Sequence, residues 1–258
     1  MGHLRFLLES FGTDLRQCIV TSSDGPRHAA VRARLRVRVR RLTAGAPICK
    51  HRAVFPDGGL ASFLARMPIS SRAAAWADAA HEGQKRQADG APFMVHPYEV
   101  AMLLHATGYG DAVVAVGLLH DVVEKGGASV AEVRESFGAE IAADVTALTE
   151  DDGIADYHER KAALRRSVEE AREDVVAVFA ADKVVKAREL RLAAAADRLL
   201  AREVACKREH YVASLAVLDR RLPGHPLTDA LRFELAAHLV VPALAWLRPA
   251  SARVPVAS

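Results

Sequence analysis

The segment AVVAVGLLHD (112–121) constrains the fold more than any other, because an ionisable His-Asp pair directly follows an apolar run. The run AVVAVGLL (112–119) is typical of a buried helix. Burying an ionisable group is costly unless it is paired with another group or bound to a metal ion. His120 and Asp121 therefore require partners, and the rest of the sequence must supply them.

Helix-forming residues dominate the chain. Ala, Leu, Val, Arg and Glu are abundant, aromatic residues make up only 5%, and the strand-favouring residues Thr, Tyr and Ile are few. Ser129 and Glu132 form a capping-box pattern that predicts the start of a helix, and Gly138 is placed to end that helix. We therefore predict an all-α protein with helices at 72–84, 97–107, 110–124, 129–136, 138–149, 156–171, 173–200, 203–221 and 227–247.

The N-terminal segment differs from the rest of the chain in charge. Residues 1–71 contain 12 lysines and arginines against 4 acidic residues, whereas the remainder contains 23 against 28. The stretch RARLRVRVRR (32–41) alternates arginine with apolar residues, which suits a nucleic-acid-binding arm, but no aromatic residues for base stacking are interleaved. We favour an irregular or disordered arm, or translated upstream sequence, and do not expect nucleic acid as a partner.

The predicted organisation has three parts: an Arg-rich arm at 1–70, a helical domain at 71–222, and a C-terminal helix and tail at 223–258 that pack on the domain. No apolar segment approaches the ~20 residues that span a bilayer. The three cysteines form no zinc spacing, and their separation argues against a disulfide framework. These features predict a cytoplasmic protein without membrane partners, and they leave its oligomeric state open.

Four polar side chains in apolar surroundings could share one ion. His96 lies at the predicted start of a helix, and Asp182 interrupts an apolar run much as His120 and Asp121 do. Two imidazoles and two carboxylates suit a divalent ion such as Mn²⁺, Fe²⁺ or Zn²⁺. Each of these residues taken alone could equally be a satisfied core side chain, so the prediction depends on the set.

The ordered motifs of residues 72–200 resemble those of the HD-domain hydrolases of the RelA/SpoT family, especially its small stand-alone alarmone hydrolases. The family pattern is roughly H-x-G-Q-x-R, then G-x-P-[YF]-x-x-H-P-x-x-V-A, then L-L-H-D-x-x-E-D, then A-D-[KR]-x-x-N. The matching segments here are HEGQKR (81–86), GAPFMVHPYEVA (90–101), LLHDVVEK (118–125) and ADKVVK (181–186).

This resemblance implies an HD-domain helical bundle and a nucleotide substrate. The implied reaction is hydrolysis of the 3′-pyrophosphate of guanosine-3′,5′-bis(diphosphate), ppGpp, to GDP and pyrophosphate, by a chain that carries the hydrolase activity alone. Glu124 would orient the attacking water, and Arg86 would contact the nucleotide. Lys161, in a family-like ERK segment, could reach a substrate phosphate. One divalent ion, most readily Mn²⁺, would be bound by His96, His120, Asp121 and Asp182.

Two positions depart from the family pattern. Lys125 replaces the acidic residue after Glu124, and Lys186 replaces the final Asn. On a helix, each lysine reaches the aspartate one turn back, Asp121 or Asp182. In one interpretation both lysines bind substrate phosphate, and Lys125 acts beside Glu124 in catalysis. In the other they neutralise the metal ligands and leave a non-catalytic nucleotide-binding regulator. An HD phosphohydrolase acting on another nucleotide phosphate is a further alternative.

Other polar residues receive structural or weaker assignments. Asp197 also fits an A-D-R pattern, but its distance from Asp121 suits the family less well than that of Asp182, so we expect a surface helix residue. His81 either supports the site or is purely structural. We expect packing or surface positions for His105, His158, His210, His225 and His238.

Overall fold

The structure, a computed structural model, describes the backbone of residues 64–245 and the side chains of residues 64–237. Within this range the regular elements are all helices, which confirms the all-α prediction. The Arg-rich arm predicted over residues 1–70 lies almost wholly outside the described residues. The helices are α1 (Pro68–Ala80), α2 (Val95–Ala106), α3 (Asp111–Leu119), α4 (Val130–Phe137), α5 (Ala139–Leu148), α6 (Tyr157–Glu170), α7 (Glu173–Ala195), α8 (Ala201–Arg221) and α9 (Pro226–Ala245).

Helix α7 forms the centre of the bundle because it is apolar on every side over much of its length. Residues 175–185 are all buried, and two of them, Asp182 and Lys183, are charged. A helix that is apolar all round is normally enclosed by its neighbours. Accordingly, α7 packs against α2, α3, α8 and α9. The fold therefore carries Asp182 into the interior on its most enclosed element.

Gly117 sets the close approach of α3 to α2. A Cβ atom at this position would lie 2.6 Å from Leu104 Cδ1 and 3.3 Å from Val100 Cγ1, both on α2. Such distances are too short for carbon atoms in a packed interior. The absence of a side chain thus lets the C-terminal end of α3 lie against α2, next to the start of that helix.

Helix α3 is shorter than predicted. It ends at Leu119 instead of continuing to residue 124, and residues 120–125 form successive turns. One helix-like bond persists there, because the Lys125 N–H donates to the Asp121 carbonyl at 2.8 Å. The predicted one-turn spacing of Asp121 and Lys125 is therefore retained although the helix itself has ended.

Left-handed backbone conformations account for other differences at helix ends. The sequence after α1, predicted to be helical to residue 84, turns at Gly83, whose φ is 78°. Helix α7 stops at Ala195 instead of residue 200, and Asp197 follows with a φ of 53°. Asp197 is therefore exposed, as predicted, but it lies in a turn and not on a helix.

The capping signals predicted for α4 are present, although the helix runs over Val130–Phe137 and not over 129–136. The Ser129 hydroxyl accepts from the Glu132 N–H at 3.2 Å, and the Glu132 carboxylate accepts from the Ser129 N–H at 2.8 Å. These reciprocal bonds satisfy two N–H groups that the first helical turn leaves without partners. Gly138, with a φ of 91°, closes the helix and opens α5.

Helix α9 packs on α7 and α8, and a buried carboxylate ties it to α7. Glu234 accepts from the Nε atoms of Arg188 at 2.9 Å and Arg191 at 3.0 Å. These charge-assisted bonds compensate for the burial of Glu234. The predicted division into residues 71–222 and 223–258 stays a prediction.

Two observations concern the environment of the protein. Between residues 64 and 245, no helix combines the length and hydropathy needed to cross a bilayer. Cys206 is buried in α8. Cys18 and Cys49 lie outside the described residues.

Candidate metal centre

Four ionisable side chains from three parts of the chain meet inside the bundle. His96 is in the first turn of α2, His120 and Asp121 directly follow α3, and Asp182 lies midway along α7. Each is at most 4% exposed. We call these four residues the His-Asp centre. The structure thus brings together every residue that the sequence predicted as a metal ligand.

Nitrogen and oxygen atoms converge at short range within the His-Asp centre. His96 Nε2 lies 3.2 Å from His120 Nε2 and 3.0 Å from Asp182 Oδ1. Asp121 Oδ2 lies 3.3 Å from His120 Nε2 and 3.7 Å from His96 Nε2. The ligand atoms of His96, His120 and Asp182 all lie within 4.8 Å of one another. One small cation could contact them together.

Hydrogen bonds behind the two imidazoles fix their orientation. His120 Nδ1 lies 2.7 Å from the Gly117 carbonyl oxygen, and His96 Nδ1 lies 3.3 Å from Glu189 Oε1. A carbonyl or carboxylate oxygen only accepts, so each Nδ1 carries the proton. In the neutral imidazoles both Nε2 lone pairs then face the centre. This is the arrangement by which histidines ligate metal ions.

Two facing lone pairs require a cation between them. Burial lowers the pKa of His120, but the neighbouring Asp121 and Asp182 carboxylates outweigh it and raise that pKa to about 9. His120 therefore binds a proton at neutral pH where no other cation is present. Because the ligating form of histidine is neutral, a divalent ion would displace that proton on binding.

Two carboxylate oxygens of the His-Asp centre also need a nearby cation. Asp121 Oδ2 and Asp182 Oδ1 are buried and have no hydrogen bond of acceptable geometry within the described part of the chain, although Lys186 Nζ lies 3.0 Å from Asp182 Oδ1. Buried carboxylate oxygens that lack such bonds are unfavourable unless a positive charge compensates. With two imidazole nitrogens and two carboxylate oxygens, the donor set suits a divalent ion of intermediate hardness.

Lys125 contacts the outer side of the His-Asp centre. Its Nζ lies 2.9 Å from Asp121 Oδ1, whereas the inward-facing oxygen of that carboxylate is Oδ2. Burial alone would raise the pKa of Asp121, but Lys125 and Lys186 lower it well below its usual range. The Lys125 contact thus keeps Asp121 ionised and leaves its inward oxygen available.

Two lysines of α7 contact the other carboxylate. Lys183 Nζ lies 2.7 Å from Asp182 Oδ2, and Lys186 Nζ lies 3.0 Å from Asp182 Oδ1. Burial raises the pKa of Asp182, yet these two ammonium groups lower it well below its usual range. Burial also lowers the pKa of Lys183 to about 8, with partial compensation from Asp182. Three ammonium groups therefore surround two carboxylates.

A pocket of about 270 Å³ opens beside the His-Asp centre. Its volume is close to the ~300 Å³ lower end for small-molecule sites. Basic side chains lie on several sides of it, interspersed with carboxylates and aromatic rings. An anionic ligand would suit this lining. The basic lining residues are Arg86, Lys125, Lys161, Lys183, Lys186 and Lys207.

Arg86, predicted to contact nucleotide, lies in the pocket wall and is engaged by acidic groups. Its guanidinium pairs with Asp89, with Glu99 at 3.2 Å and with Glu189 at 3.1 Å. The same Glu189 oxygen accepts from His96, so Arg86 is linked to the His-Asp centre through one carboxylate.

The other predicted substrate and catalytic residues also line the pocket. Glu124 lies beside Lys125, with 3.7 Å between Oε1 and Nζ. Lys161 pairs with the buried Glu150, which reduces the charge that it can offer to a ligand. The structure thus brings the predicted substrate-binding residues to one pocket, where each of them pairs with a carboxylate of the protein.

His81 supports the loop behind the site. Its Nδ1 lies 2.9 Å from Gln84 Oε1, and Gln84 Nε2 donates to the Lys125 carbonyl at 2.9 Å. The His81 ring also lies against Phe93, with 4.5 Å between centroids. Burial lowers the pKa of His81 to about 4, so it is neutral at physiological pH. His81 therefore positions the turn that carries Asp121 and Lys125.

Sequence reasoning missed several pocket residues. Glu189 lies two helical turns after Asp182 on α7, a spacing that could have revealed it. Lys207, His210 and Tyr211 come from α8 and carry no motif. His210, predicted to be a packing or surface residue, is buried and lies 2.8 Å from Arg165 through Nδ1.

Comparison with known proteins identifies relatives of this fold. A family model described as "HD domain" matches residues 73–206, just over half of the chain. A GTP pyrophosphokinase of Myxococcus xanthus is 38% identical over 76 residues, 30% of this chain and 10% of that protein. A probable guanosine-3′,5′-bis(diphosphate) 3′-pyrophosphohydrolase of Synechocystis is 41% identical over 66 residues, 26% of this chain and 9% of that protein. The chain spans about a tenth of the length of these curated relatives.

A solved structure supports the architecture. It belongs to a metazoan ortholog of SpoT that hydrolyses ppGpp and plays a role in starvation responses. The superposition has a TM-score of 0.55 and 21% identity, and it covers 68% of this chain and 96% of that one. At this level of identity the likeness extends to the fold alone.

Proposed function

Because this chain belongs to the HD domain family and is homologous to RelA/SpoT-family proteins, we propose that it is a metal-dependent phosphohydrolase acting on ppGpp or a closely similar nucleotide. One observation carries the proposal: two imidazole nitrogens and two buried carboxylate oxygens converge beside a pocket rich in lysine. The reaction would add water across the bond between the ribose 3′ oxygen and the pyrophosphate, giving GDP and pyrophosphate.

The residues of the site have distinct roles in this proposal. His96, His120, Asp121 and Asp182 would hold the ion, with Mn²⁺ favoured over harder or softer metals. A bound divalent ion lowers the pKa of a water ligand and polarises a phosphoryl oxygen. Glu124, at the pocket edge, would accept the proton of the attacking water. Lys125 would keep Asp121 ionised and donate to a phosphate oxygen.

Charge balance supports a polyanionic substrate. Three ammonium groups already contact the two aspartates, so a divalent ion adds positive charge to a site in which these cations already outnumber the aspartate carboxylates. Like charges at such distances repel strongly in a partly buried site. A pyrophosphate group supplies the compensating negative charge. We expect a neutral or singly charged ligand to be a poor substrate.

The first experiment measures metal content and pyrophosphate release from ppGpp with added Mn²⁺, using the full chain. We expect Asp121→Asn to reduce turnover by about a hundredfold or more, because one ligand and the orientation of Lys125 are lost together. Asp197→Asn, which changes an exposed aspartate on the same fold, should leave turnover unchanged. Equal turnover in Asp121→Asn and the wild type would contradict the proposed centre.

A second candidate function rests on Lys186. Its ammonium contacts the same Asp182 oxygen that faces the histidines, as expected of a site in which lysine has replaced the metal. Such a chain would bind nucleotide without hydrolysing it and act as a regulator. Nucleotide binding without bound metal or turnover would favour this candidate. Metal binding with turnover of a different nucleotide phosphate would keep the enzyme class and change the substrate.

A further inference from the structure

Lys186 occupies a position that no other described lysine shares. Its Nζ lies 3.0 Å from Asp182 Oδ1 and 4.0 Å from Asp121 Oδ1. Asp182 Oδ1 is also the oxygen 3.0 Å from His96 Nε2 and 3.5 Å from His120 Nε2. The ammonium therefore contacts the one oxygen of Asp182 that a shared metal ion would need.

The neighbouring lysines contact the outward-facing oxygens instead. Lys125 pairs with Asp121 Oδ1, and Lys183 pairs with Asp182 Oδ2. Neither contact blocks the inward oxygens, Asp121 Oδ2 and Asp182 Oδ1. Both lysines can stay in place while the carboxylates hold an ion, whereas the Lys186 ammonium would share its oxygen with a divalent cation that repels it.

The Lys186 ammonium also has an alternative position in the pocket. Its side chain is 24% exposed and lines the pocket, whereas that of Lys183 is 4% exposed and enclosed. A flexible four-carbon chain lets the ammonium rotate from the carboxylate into the pocket. There it would meet a phosphate group of a bound ligand. The side chain thus has two alternative partners, the Asp182 carboxylate and an anion in the pocket.

We infer that Lys186 couples metal binding to anion binding: it neutralises Asp182 when the site is empty and transfers to a ligand phosphate when a divalent ion takes that oxygen. This deepens the proposed phosphohydrolase function and rests on it. Coupling of this kind is reciprocal, so a phosphate-bearing ligand raises the affinity for the ion by the same factor by which the ion raises the affinity for the ligand. Coupling factors typically run from about 5-fold to 150-fold.

The test measures Mn²⁺ binding directly, from the electron paramagnetic resonance signal of the free ion, with the full chain and without substrate. Inorganic phosphate serves as the anion, and a titration without protein corrects for its own affinity for Mn²⁺. The variants are Lys186→Met, which keeps the stem and removes the charge, and Lys125→Met, which removes an equal charge from an outward oxygen. Lys85→Met changes an exposed lysine and serves as the control.

We expect Lys186→Met to bind Mn²⁺ about tenfold or more tightly than the wild type without phosphate. We also expect phosphate to tighten Mn²⁺ binding in the wild type and in Lys85→Met but not in Lys186→Met. Lys125→Met should show a smaller gain and keep the response to phosphate. This difference between the two variants would identify Lys186 as the coupling residue, because removing the same charge at Lys125 would not have the same effect.

Two results would overturn the inference. One is unchanged or weaker Mn²⁺ binding in Lys186→Met, and the other is an equal phosphate response in that variant and the wild type. Either leaves the proposed hydrolase intact, because the ion still binds. Failure of the proposed function looks different: the coupling is observed while ppGpp and other nucleotide phosphates remain unhydrolysed. Absence of Mn²⁺ binding in every variant would contradict both.

Discussion

Glu189→Gln is the sharpest test of the geometry at the His-Asp centre. Glu189 Oε1 lies 3.3 Å from His96 Nδ1 and 3.1 Å from Arg86 Nη1. Burial raises the pKa of Glu189, but its bond to His96 and the charges of His96, Arg86 and Lys186 together lower it, so the carboxylate is ionised and accepts. The glutamine amide keeps the size of the side chain while removing the charge that fixes the His96 proton on Nδ1.

The expected loss follows from the role of that proton. If the amide nitrogen turns towards His96, Nδ1 must accept, and the proton moves to Nε2, where it blocks the ion. If the amide oxygen turns towards it, the bond survives without its charge. Loss of such supporting partners typically costs about 10-fold to 100-fold in metal affinity. That range corresponds to about 1.4 to 2.7 kcal/mol.

The assay is the dissociation constant of Mn²⁺, measured by equilibrium dialysis, with the melting temperature recorded to exclude unfolding. Glu99→Gln is the matched control, because Glu99 pairs with the same Arg86 at 3.2 Å without contacting His96. An unchanged constant in Glu189→Gln would refute the reasoning. An equal loss in both variants would show that the effect passes through Arg86 and not through His96.

Two further predictions concern stability. Burial lowers the pKa of His81 to about 4, below its ordinary 6.5, so the unfolded chain binds more protons between these values and stability falls as pH drops from 6.5 to about 4. The full loss is about 3 kcal/mol, and denaturant unfolding of His81→Gln over this range should show a correspondingly flatter pH dependence than the wild type. Gly138→Ala should cost about 1–3 kcal/mol, because a φ of 91° is strained for any side chain. Gly110→Ala, with φ at −78° and open space around the new Cβ, should cost little, and similar losses from the two glycine variants in urea would contradict this reasoning.

The helices and the candidate metal ligands were within reach of sequence reasoning because their signals are local. Apolar runs without strand-forming residues indicated the buried helices, and the capping box at Ser129 marked the start of α4. The sequence indicated His120 and Asp121 because adjacent ionisable residues at the end of an apolar run need partners. The likeness to RelA/SpoT-family motifs joined these signals into one predicted centre, and the HD-domain match over residues 73–206 confirms the family, while the ligand assignment stays a prediction.

Helix ends and the far wall of the pocket were beyond that reasoning. Periodicity continued through residue 124, but α3 ends at Leu119, so the turn carrying Asp121 could not be read from the apolar pattern. Lys207 and His210 reach the pocket only because α8 packs on α7, a tertiary contact without a sequence signature. In contrast, the sequence does show that Glu189 lies seven residues after Asp182, a spacing that places both on one side of a helix.

The lysines explain how such a centre can fold before it binds an ion. A structural zinc site often depends on its metal because nothing else neutralises the ligands. Here Lys125, Lys183 and Lys186 lie within 3.0 Å of carboxylate oxygens, and a proton on His120 satisfies the facing imidazoles. These lysines and the His120 proton therefore neutralise the carboxylates when no metal ion is bound. In the proposed hydrolase, the departures from the family pattern at residues 125 and 186 would therefore change how readily the metal and the anion bind, and not whether the bundle forms.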